Sequence, residues 1–162
     1  MARLKTAVLI SGRGSNLEAL IAAAAAPGFP AEIALVLANR TDAAGLDFAR
    51  AAGIPHQVIG HRAYPTRDAF DAALDAALKA AGIELACLAG FMRLLGRDFV
   101  TQWRDRLVNI HPSLRPAFRG LDTHARVLAA GVRVIGGTVH FGRAEIDDGT
   151  IVVQAAVPVL AG

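Results

Sequence analysis

Apolar positions along this chain follow two alternating patterns. Short continuous apolar runs are typical of strands buried on both faces, whereas apolar residues spaced three and four apart are typical of helices. In 68–81, for example, Phe70, Leu74 and Leu78 recur at helical spacing. Strands are predicted at 6–10, 32–38, 54–59, 84–89, 106–110, 134–140 and 151–157, and helices at 15–25, 42–52, 68–81, 97–104 and 124–130.

The order of these elements predicts the fold class. Strands that alternate with helices through short turns predict an α/β protein, with a Rossmann-like, mostly parallel sheet and helices on both faces. The segment 141–149 is too short for a crossover helix of about a dozen residues, so the last two strands are predicted to be antiparallel. Gly53 is predicted to end the second helix in the left-handed conformation. No repeat or linker divides the chain, which indicates one domain over 1–162.

Composition narrows the class of protein. With 162 residues, of which 54% are hydrophobic and 19% charged, the chain can build a substantial core. Its net charge of +3 is scattered along the sequence, which favours anionic small molecules over nucleic acid as partners. The apolar runs are too short for a membrane span or a signal-peptide core, so a cytoplasmic protein is expected.

Metal and thiol chemistry find little support in the sequence. The single cysteine, Cys87, excludes an internal disulfide and a multi-cysteine metal site. It lies within an apolar run, where a buried, inert thiol is expected rather than a nucleophile. His56 and His61 have no carboxylate or cysteine partner at ligand spacing, so both are expected to be solvated or satisfied by hydrogen bonds.

A glycine-containing loop joins the first strand to the first helix. Gly14, Ser15 and Asn16 lie where backbone N–H groups and a helix start can bind an anion, and Ser15 or Asn16 is expected near the helix cap. A dinucleotide site would require a small residue in place of Leu17 and an acidic residue in place of Asn39, so a single phosphate is the better prediction. A tight turn that uses glycine only for its geometry is an equally good reading of this loop alone.

Two polar side chains end the fifth predicted strand. Asn109 and His111 are two residues apart, so they face one side of the sheet, and Pro112 is expected to stop the strand there. Ligands bind at this end of strands in open α/β sheets. With Asp147, the pair could catalyse acyl transfer to an external amine without a protein nucleophile, and Ser113 is expected to hydrogen-bond within the turn. A structural Asp–His pair is the commoner alternative.

The turn at 90–96 carries apolar side chains around one arginine. Such a turn suits a planar apolar ligand with a polar edge or an acidic tail. Core packing is the alternative, and taken alone the turn favours it.

Several short sequences, taken together and in order, resemble the phosphoribosylglycinamide formyltransferase family. They are ISGRGSNL at 10–17, AGFMR at 89–93, NIHPSL at 109–114, GLDTH at 120–124 and VHF at 139–141, followed by Asp147. The resemblance covers essentially the whole chain. It implies transfer of a formyl group from 10-formyltetrahydrofolate, as co-substrate, to the amine of glycinamide ribonucleotide in purine synthesis.

The resemblance also implies roles for individual residues. Asn109, His111 and Asp147 would be catalytic, with His111 as general acid and Asp147 favouring its protonated form. The loop 14–16 would hold the ribonucleotide phosphate. The folate-binding set would comprise Arg67, Met92, Arg93, Leu94, Leu95, Asn109, Arg143, Ala144, Glu145, Ile146 and Asp147. The implied partners are the two small molecules, with no metal, nucleic acid or membrane, and the protein would be a monomer or a homodimer.

The chain departs from the family pattern at a few positions. Arg115 stands where leucine is common, and Gly142 and Ala144 replace a larger apolar and an acidic residue, which could loosen the folate loop. Thr150 often corresponds to proline. The family also has a C-terminal segment and helix that would follow Gly162 and are absent from this chain.

Other functions use similar residues. Relatives with the same Asn and His act on methionyl-tRNA or hydrolyse formyl-folate, but the loop 14–16 and the GLDTH sequence favour the purine enzyme. A folate- or phosphate-binding module with little activity is a further alternative, because the C-terminal segment is absent. Leu17 and Asn39 disfavour a nicotinamide-dependent enzyme.

Overall fold

A computed structural model gives the architecture of residues 2–144 and 149–160. Strands and helices alternate along the chain, as the apolar pattern predicts. The strands are β1 Leu4–Ile10, β2 Ala31–Ala38, β3 His56–Val58, β4 Leu85–Leu88, β5 Leu107–His111, β6 Val134–Phe141 and β7 Ile151–Pro158. The helices are α1 Ser15–Ala24, α2 Leu46–Ala51, α3 Arg67–Ala80, α4 Arg97–Gln102 and α5 Thr123–Ala129, with a 3-10 turn at His61–Ala63.

The described strands form one mixed sheet in the order β3-β2-β1-β4-β5-β6-β7. Neighbouring strands from β3 to β5 are parallel, whereas β6 is antiparallel to β5 and β7 to β6. The predicted α/β class and the antiparallel last strands are confirmed. The strand order changes direction between β1 and β4, so the carboxyl ends of β1, β4 and β5 meet at the edge where such folds bind ligands.

Helices cover both faces of the sheet, and β1 shows why its sequence is apolar throughout. Ala7 and Leu9 pack in the core formed with α3 and α4, whereas Val8 and Ile10 pack in the core formed with α1 and α2. All four side chains are completely buried. Period-two alternation therefore places apolar residues in two separate cores, which holds β1 at the centre of the molecule.

Most predicted element bounds lie within two residues of those observed, but α2 starts at Leu46 rather than at 42. The residues before it form a turn, because the Gly45 N–H donates to the Gly12 carbonyl over 3.0 Å. The start of α1 also differs from expectation. Gly14 occupies its N-cap in the left-handed conformation, and no side chain caps the helix. Gly53 adopts the predicted left-handed conformation after α2.

None of the helices in the described ranges is long and apolar enough to cross a membrane. His56 and His61 differ in their surroundings. His56 is exposed and its Nδ1 lies 2.9 Å from the Ile54 carbonyl. His61 is partly exposed and packs edge-on against Phe70, and its buried Nδ1 has no hydrogen-bond partner within the described part of the chain.

Candidate active site

Asn109 and His111 lie at the carboxyl end of β5, as predicted. The strand ends at His111, since Pro112 has no N–H to continue the ladder. Asn109 pairs with His140 on the neighbouring strand β6, and Asn109 Nδ2 lies 3.2 Å from His140 Nε2. His140 Nδ1 lies 3.0 Å from the Phe141 carbonyl, which can only accept a hydrogen bond. A neutral His140 protonated at Nδ1 therefore satisfies both contacts, with Nε2 accepting from the Asn109 amide.

His111 is almost completely buried, with 5% of its surface exposed. Its Nε2 lies 2.9 Å from the Phe118 carbonyl, so Nε2 carries a proton and donates it there. Phe118 itself has a positive φ of 53°, an uncommon conformation for a residue other than glycine. The loop that follows β5 therefore turns back to orient the imidazole ring of His111.

The same loop is tied to β6 and β7 by hydrogen bonds. Thr138, which pairs with His111 across the strands, donates from Oγ1 to the Ser113 carbonyl over 2.6 Å. Thr138 Oγ1 accepts from the Arg115 N–H and from Gln154 Nε2. Ser113 Oγ donates to the Ala117 carbonyl over 2.6 Å, which confirms its predicted role in the turn. These bonds hold the loop in one position beside His111.

Asp147, the proposed third catalytic residue, lies outside the described residues, as do Glu145 and Ile146. Its relation to His111 stays a prediction. The described residues before it show that Arg143 pairs with Asp105, with Nη2 2.7 Å from Oδ1. Asp105 precedes β5, whereas His111 ends it, so the Arg143 guanidinium is directed to the opposite end of the strand from His111. Gly142, next to Arg143, packs against Leu107, and a Cβ there would lie 2.7 Å from Leu107 Cδ2.

The loop 14–16 lies at the carboxyl end of β1, beside the ends of β4 and β5. Gly14 has a φ of +77° and packs so closely on Gly45 that a Cβ would lie 2.6 Å from Gly45 Cα. Packing thus accounts for this glycine, as the alternative reading supposed. Ser15 and Asn16 are exposed in the first turn of α1, where N–H groups lack partners within the helix and favour an anion.

The segment 92–95 begins close to the glycine loop. Met92 and Leu94 are 68% and 60% exposed, so core packing does not account for them, whereas Phe91 and Leu95 pack partly against the core beneath α3. Arg67 begins α3, beside Gly96 at the end of this segment. The structure thus places Arg67 beside the end of the segment 92–95, whereas the guanidinium of Arg143 pairs with Asp105.

Three contacts in this region involve residues that the sequence analysis did not assign to the site. His140 lies opposite Asn109, and only the strand register shows this. Ser11 donates to Asn39 Oδ1 over 2.6 Å, and Asp71 accepts from the Gly96 N–H over 2.6 Å. Polar residues within apolar runs could have indicated such contacts, since buried polar groups are almost always hydrogen-bonded.

The surroundings of Cys87 do not favour a nucleophilic thiol. Cys87 is buried in β4, and burial raises the pKa of its thiol from 9.0 to about 11.

We expect native protein to resist thiol reagents below pH 9 and the unfolded chain to react readily, as measured by time-resolved labelling. Because the folded chain holds this proton more tightly, stability should fall as the pH rises from 9.0 towards about 11. Rapid labelling of native protein at neutral pH would contradict the buried thiol.

Arg115 provides a prediction about stability. Its side chain is 7% exposed, its Nη1 donates to the Gly149 carbonyl over 3.3 Å, and its buried Nε has no hydrogen-bond partner among the residues the structure describes. A buried guanidinium with so few contacts among the described residues is costly, so Arg115→Leu should raise the free energy of unfolding by about 1–3 kcal/mol. Urea denaturation measures this. Arg133→Leu, which removes an exposed guanidinium, is the control and should give no gain, whereas destabilisation by Arg115→Leu would show that the guanidinium is well compensated.

Residues 4–162 of the chain match the formyl transferase family. The chain is 43% identical to the phosphoribosylglycinamide formyltransferase of Escherichia coli, covering 96% of this chain and 73% of that protein. It is 52% identical to the trifunctional purine biosynthetic protein adenosine-3 of Gallus gallus, covering 99% of this chain but only 16% of that much longer protein. The chain thus spans about one sixth of the length of this and similar trifunctional relatives.

Solved structures of the same family are also similar. The glycinamide ribonucleotide transformylase 1 of Symbiobacterium toebii superposes with a TM-score of 0.93 at 47% identity, covering 98% of this chain and 75% of that one. The phosphoribosylglycinamide formyltransferase of Brucella melitensis gives 0.93 at 48% identity, covering 98% and 82%. With both sequence and fold in agreement over nearly its whole length, this chain belongs to the formyl transferase family.

Proposed function

We propose that this protein transfers the formyl group of 10-formyltetrahydrofolate to the amine of glycinamide ribonucleotide, in purine biosynthesis. The observation that carries this proposal is the pair of Asn109 and His111 at the carboxyl end of β5, held in place by His140 and the Phe118 carbonyl. The names of the relatives that match most of their own length support the same reaction. The proposal covers the substrates as well as the chemistry.

The chemistry proposed is direct attack by the amine. The amine nitrogen bonds to the formyl carbon, the bond from that carbon to the folate nitrogen breaks, and the leaving nitrogen takes a proton as the amine releases one. Asn109 has a second amide N–H beside the one directed at His140, and this N–H would stabilise the oxyanion that develops on the formyl oxygen. His111 would supply the proton as general acid. Asp147, assigned by resemblance, would favour the protonated imidazole.

The immediate surroundings support a mechanism without a covalent enzyme intermediate. Cys87 is buried with a raised pKa, and the Ser113 hydroxyl is occupied by the Ala117 carbonyl. Neither side chain therefore offers an activated nucleophile beside His111. The proposed nucleophile for the formyl carbon is therefore the acceptor amine.

The two substrates would occupy neighbouring parts of the sheet edge. The exposed start of α1, with Ser15 and Asn16, would take the phosphate of the ribonucleotide. The exposed apolar side chains of Met92 and Leu94 would contact the folate ring, and Arg67 and Arg93 would attract its acidic tail. A dinucleotide is disfavoured because Asn39 accepts a hydrogen bond from Ser11 and presents no carboxylate to a ribose.

The test is a competition among acceptors. Purified protein is incubated with 10-formyltetrahydrofolate and one of three acceptors: glycinamide ribonucleotide, methionyl-tRNA or water. We expect formylated glycinamide ribonucleotide to be the product, measured by mass spectrometry together with release of tetrahydrofolate. Formylated methionyl-tRNA or free formate as the main product would assign the protein to another activity of the family. Calorimetric binding of a folate analogue without turnover of any acceptor would identify a binding module instead.

A further inference from the structure

The segment 92–95 is exposed, yet both of its ends are hydrogen-bonded to buried side chains. The Met92 N–H donates to Ser11 Oγ over 2.8 Å, and the Gly96 N–H, just after the segment, donates to Asp71 Oδ2 over 2.6 Å. Ser11 belongs to the loop after β1, whereas Asp71 lies on α3. The segment is therefore attached at its two ends to two different elements of the fold.

Ser11 is a well-oriented anchor. It is 5% exposed, and its hydroxyl proton is donated to Asn39 Oδ1 over 2.6 Å. With that proton committed, the oxygen can only accept from the Met92 N–H. Asn39 thereby fixes the hydroxyl and, through it, the start of the segment. This gives a role to the residue that stands where a dinucleotide-binding protein has a carboxylate.

Asp71 is a charged anchor that burial makes costly. It is 5% exposed, and burial together with the nearby Asp68 charge raises the pKa of its carboxyl, although the Gly96 N–H and the charges of Arg67 and Arg93 act in the opposite direction. Oδ1 is buried without a hydrogen-bond partner within residues 2–144 and 149–160. Since the folded state favours the protonated acid, ionisation of Asp71 lowers stability as the pH rises above the ordinary carboxyl range.

The contact between Asp71 and the segment is also tight. A Cβ at position 96 would lie 2.9 Å from Asp71 Oδ2 and 3.6 Å from both Arg67 Nε and Asp68 Oδ1, so a larger residue there would displace the carboxylate. Arg67 lies one turn before Asp71 on α3, and its guanidinium shares this space. The end of the segment, the carboxylate and the first arginine of the helix therefore form one packed unit.

We propose that Ser11 and Asp71 are positioning residues that hold the two ends of the segment 92–95 and so set the affinity for the formyl donor. This inference rests on the proposed function, because the segment is assigned to the folate. The two anchors fix where Met92 and Leu94 present their apolar side chains. The Asp71 carboxyl also interacts with the charges of Arg67 and Arg93. Neither anchor touches the reacting atoms, so each acts through the segment.

The test compares three single variants with the wild-type chain. Asp71→Ala removes the anchor, Asp71→Asn retains an acceptor but removes the charge, and Asp47→Asn makes the same charge change at an exposed position in the first turn of α2. We expect the KM for the formyl donor to rise about tenfold in Asp71→Ala and roughly threefold in Asp71→Asn, as the loss of a charge-assisted hydrogen bond implies. The kcat and the KM for the ribonucleotide should stay within about twofold of wild type in all three. Asp47→Asn should leave the donor KM unchanged.

A merely structural role predicts a different result. Because burial disfavours the carboxylate, Asp71→Asn should melt no lower than wild type even though it binds the donor less tightly. A lower melting temperature with unchanged donor KM would show that Asp71 only stabilises the fold. An unchanged donor KM in a folded Asp71→Ala would overturn the proposal outright.

Amide hydrogen exchange separates this inference from the proposed function. In the free protein, the Gly96 amide should exchange at least about tenfold faster in Asp71→Ala, and the Met92 amide should do so in Ser11→Ala, because each loses its acceptor. Unchanged exchange at both amides would refute the anchoring. If the amides respond as expected but wild-type protein formylates no acceptor, the proposed function fails and the anchoring itself survives.

Discussion

Replacement of His111 by alanine should slow formyl transfer by about two orders of magnitude or more, the loss typical of a general acid or oxyanion-stabilising group. His111 ends β5, is buried, and is oriented by the Phe118 carbonyl 2.9 Å from Nε2. Alanine removes the only proton donor we assign to the leaving nitrogen and leaves the sheet intact. The measurement is kcat for formylated glycinamide ribonucleotide, with calorimetric binding of a folate analogue as the check on donor affinity.

His56→Ala is the matched control for this variant. His56 lies in β3 and is exposed, so the same chemical change there should leave kcat unaltered. Circular dichroism melting shows whether either variant loses its fold. A folded His111→Ala with wild-type kcat would remove His111 from the mechanism. Asp147→Asn is expected to lose a similar factor, since it would no longer favour the charged imidazole.

Gly14→Ala should both destabilise the protein and weaken binding of the phosphorylated substrate. The φ of +77° is unfavourable for any residue with a Cβ, by roughly 1–2 kcal/mol. In addition, the new Cβ would lie 2.6 Å from Gly45 Cα, which is backbone and cannot rotate away. The loop must move to relieve this contact, and Ser15 and Asn16 move with it. We therefore expect a lower free energy of unfolding in urea and a KM for the ribonucleotide raised by about tenfold or more.

Gly12→Ala provides an internal control in the same loop. A Cβ at position 12 would have no heavy atom within 4 Å outside its chain neighbours, and its φ lies outside the left-handed region. This variant should keep nearly wild-type stability. Equal loss of stability in Gly12→Ala and Gly14→Ala would mean that loop flexibility matters and that the contact with Gly45 does not. A Gly14→Ala protein that is destabilised but binds the ribonucleotide normally would place the phosphate elsewhere.

Short-range rules predict much of this fold and part of its site. Continuous apolar runs mark strands buried on both faces, and β1 shows the reason, since Ala7 and Val8 belong to different cores. Pro112 cannot donate to a ladder, so the end of β5 is visible in the sequence. Period-two geometry places Asn109 and His111 on one side of the strand. Each of these predictions depends only on residues close together in the sequence, so it can be made without knowledge of the fold.

Helix starts are less predictable, because their partners lie elsewhere. The helix α2 begins later than predicted because Gly45, just before it, hydrogen-bonds to Gly12 and packs against Gly14. Both partners lie in the loop after β1, far away in the sequence. The cap of α1 is likewise set by the contact between Gly14 and Gly45 rather than by the nearby serine or asparagine. Local propensity favoured a side-chain cap, and tertiary packing decided otherwise.

The sequence by itself determined the fold class, the end of β5 and the shared direction of Asn109 and His111, since all three follow from local backbone geometry and apolar periodicity. The tertiary structure alone decided which groups meet them. Strand register puts His140 beside Asn109, and the packing of α3 on the segment 92–95 puts Asp71 beneath Gly96. Such contacts join residues distant in the chain, and their geometry depends on how sheets and helices pack. Periodicity carries no information about that packing, so only the folded molecule reveals how the site is held.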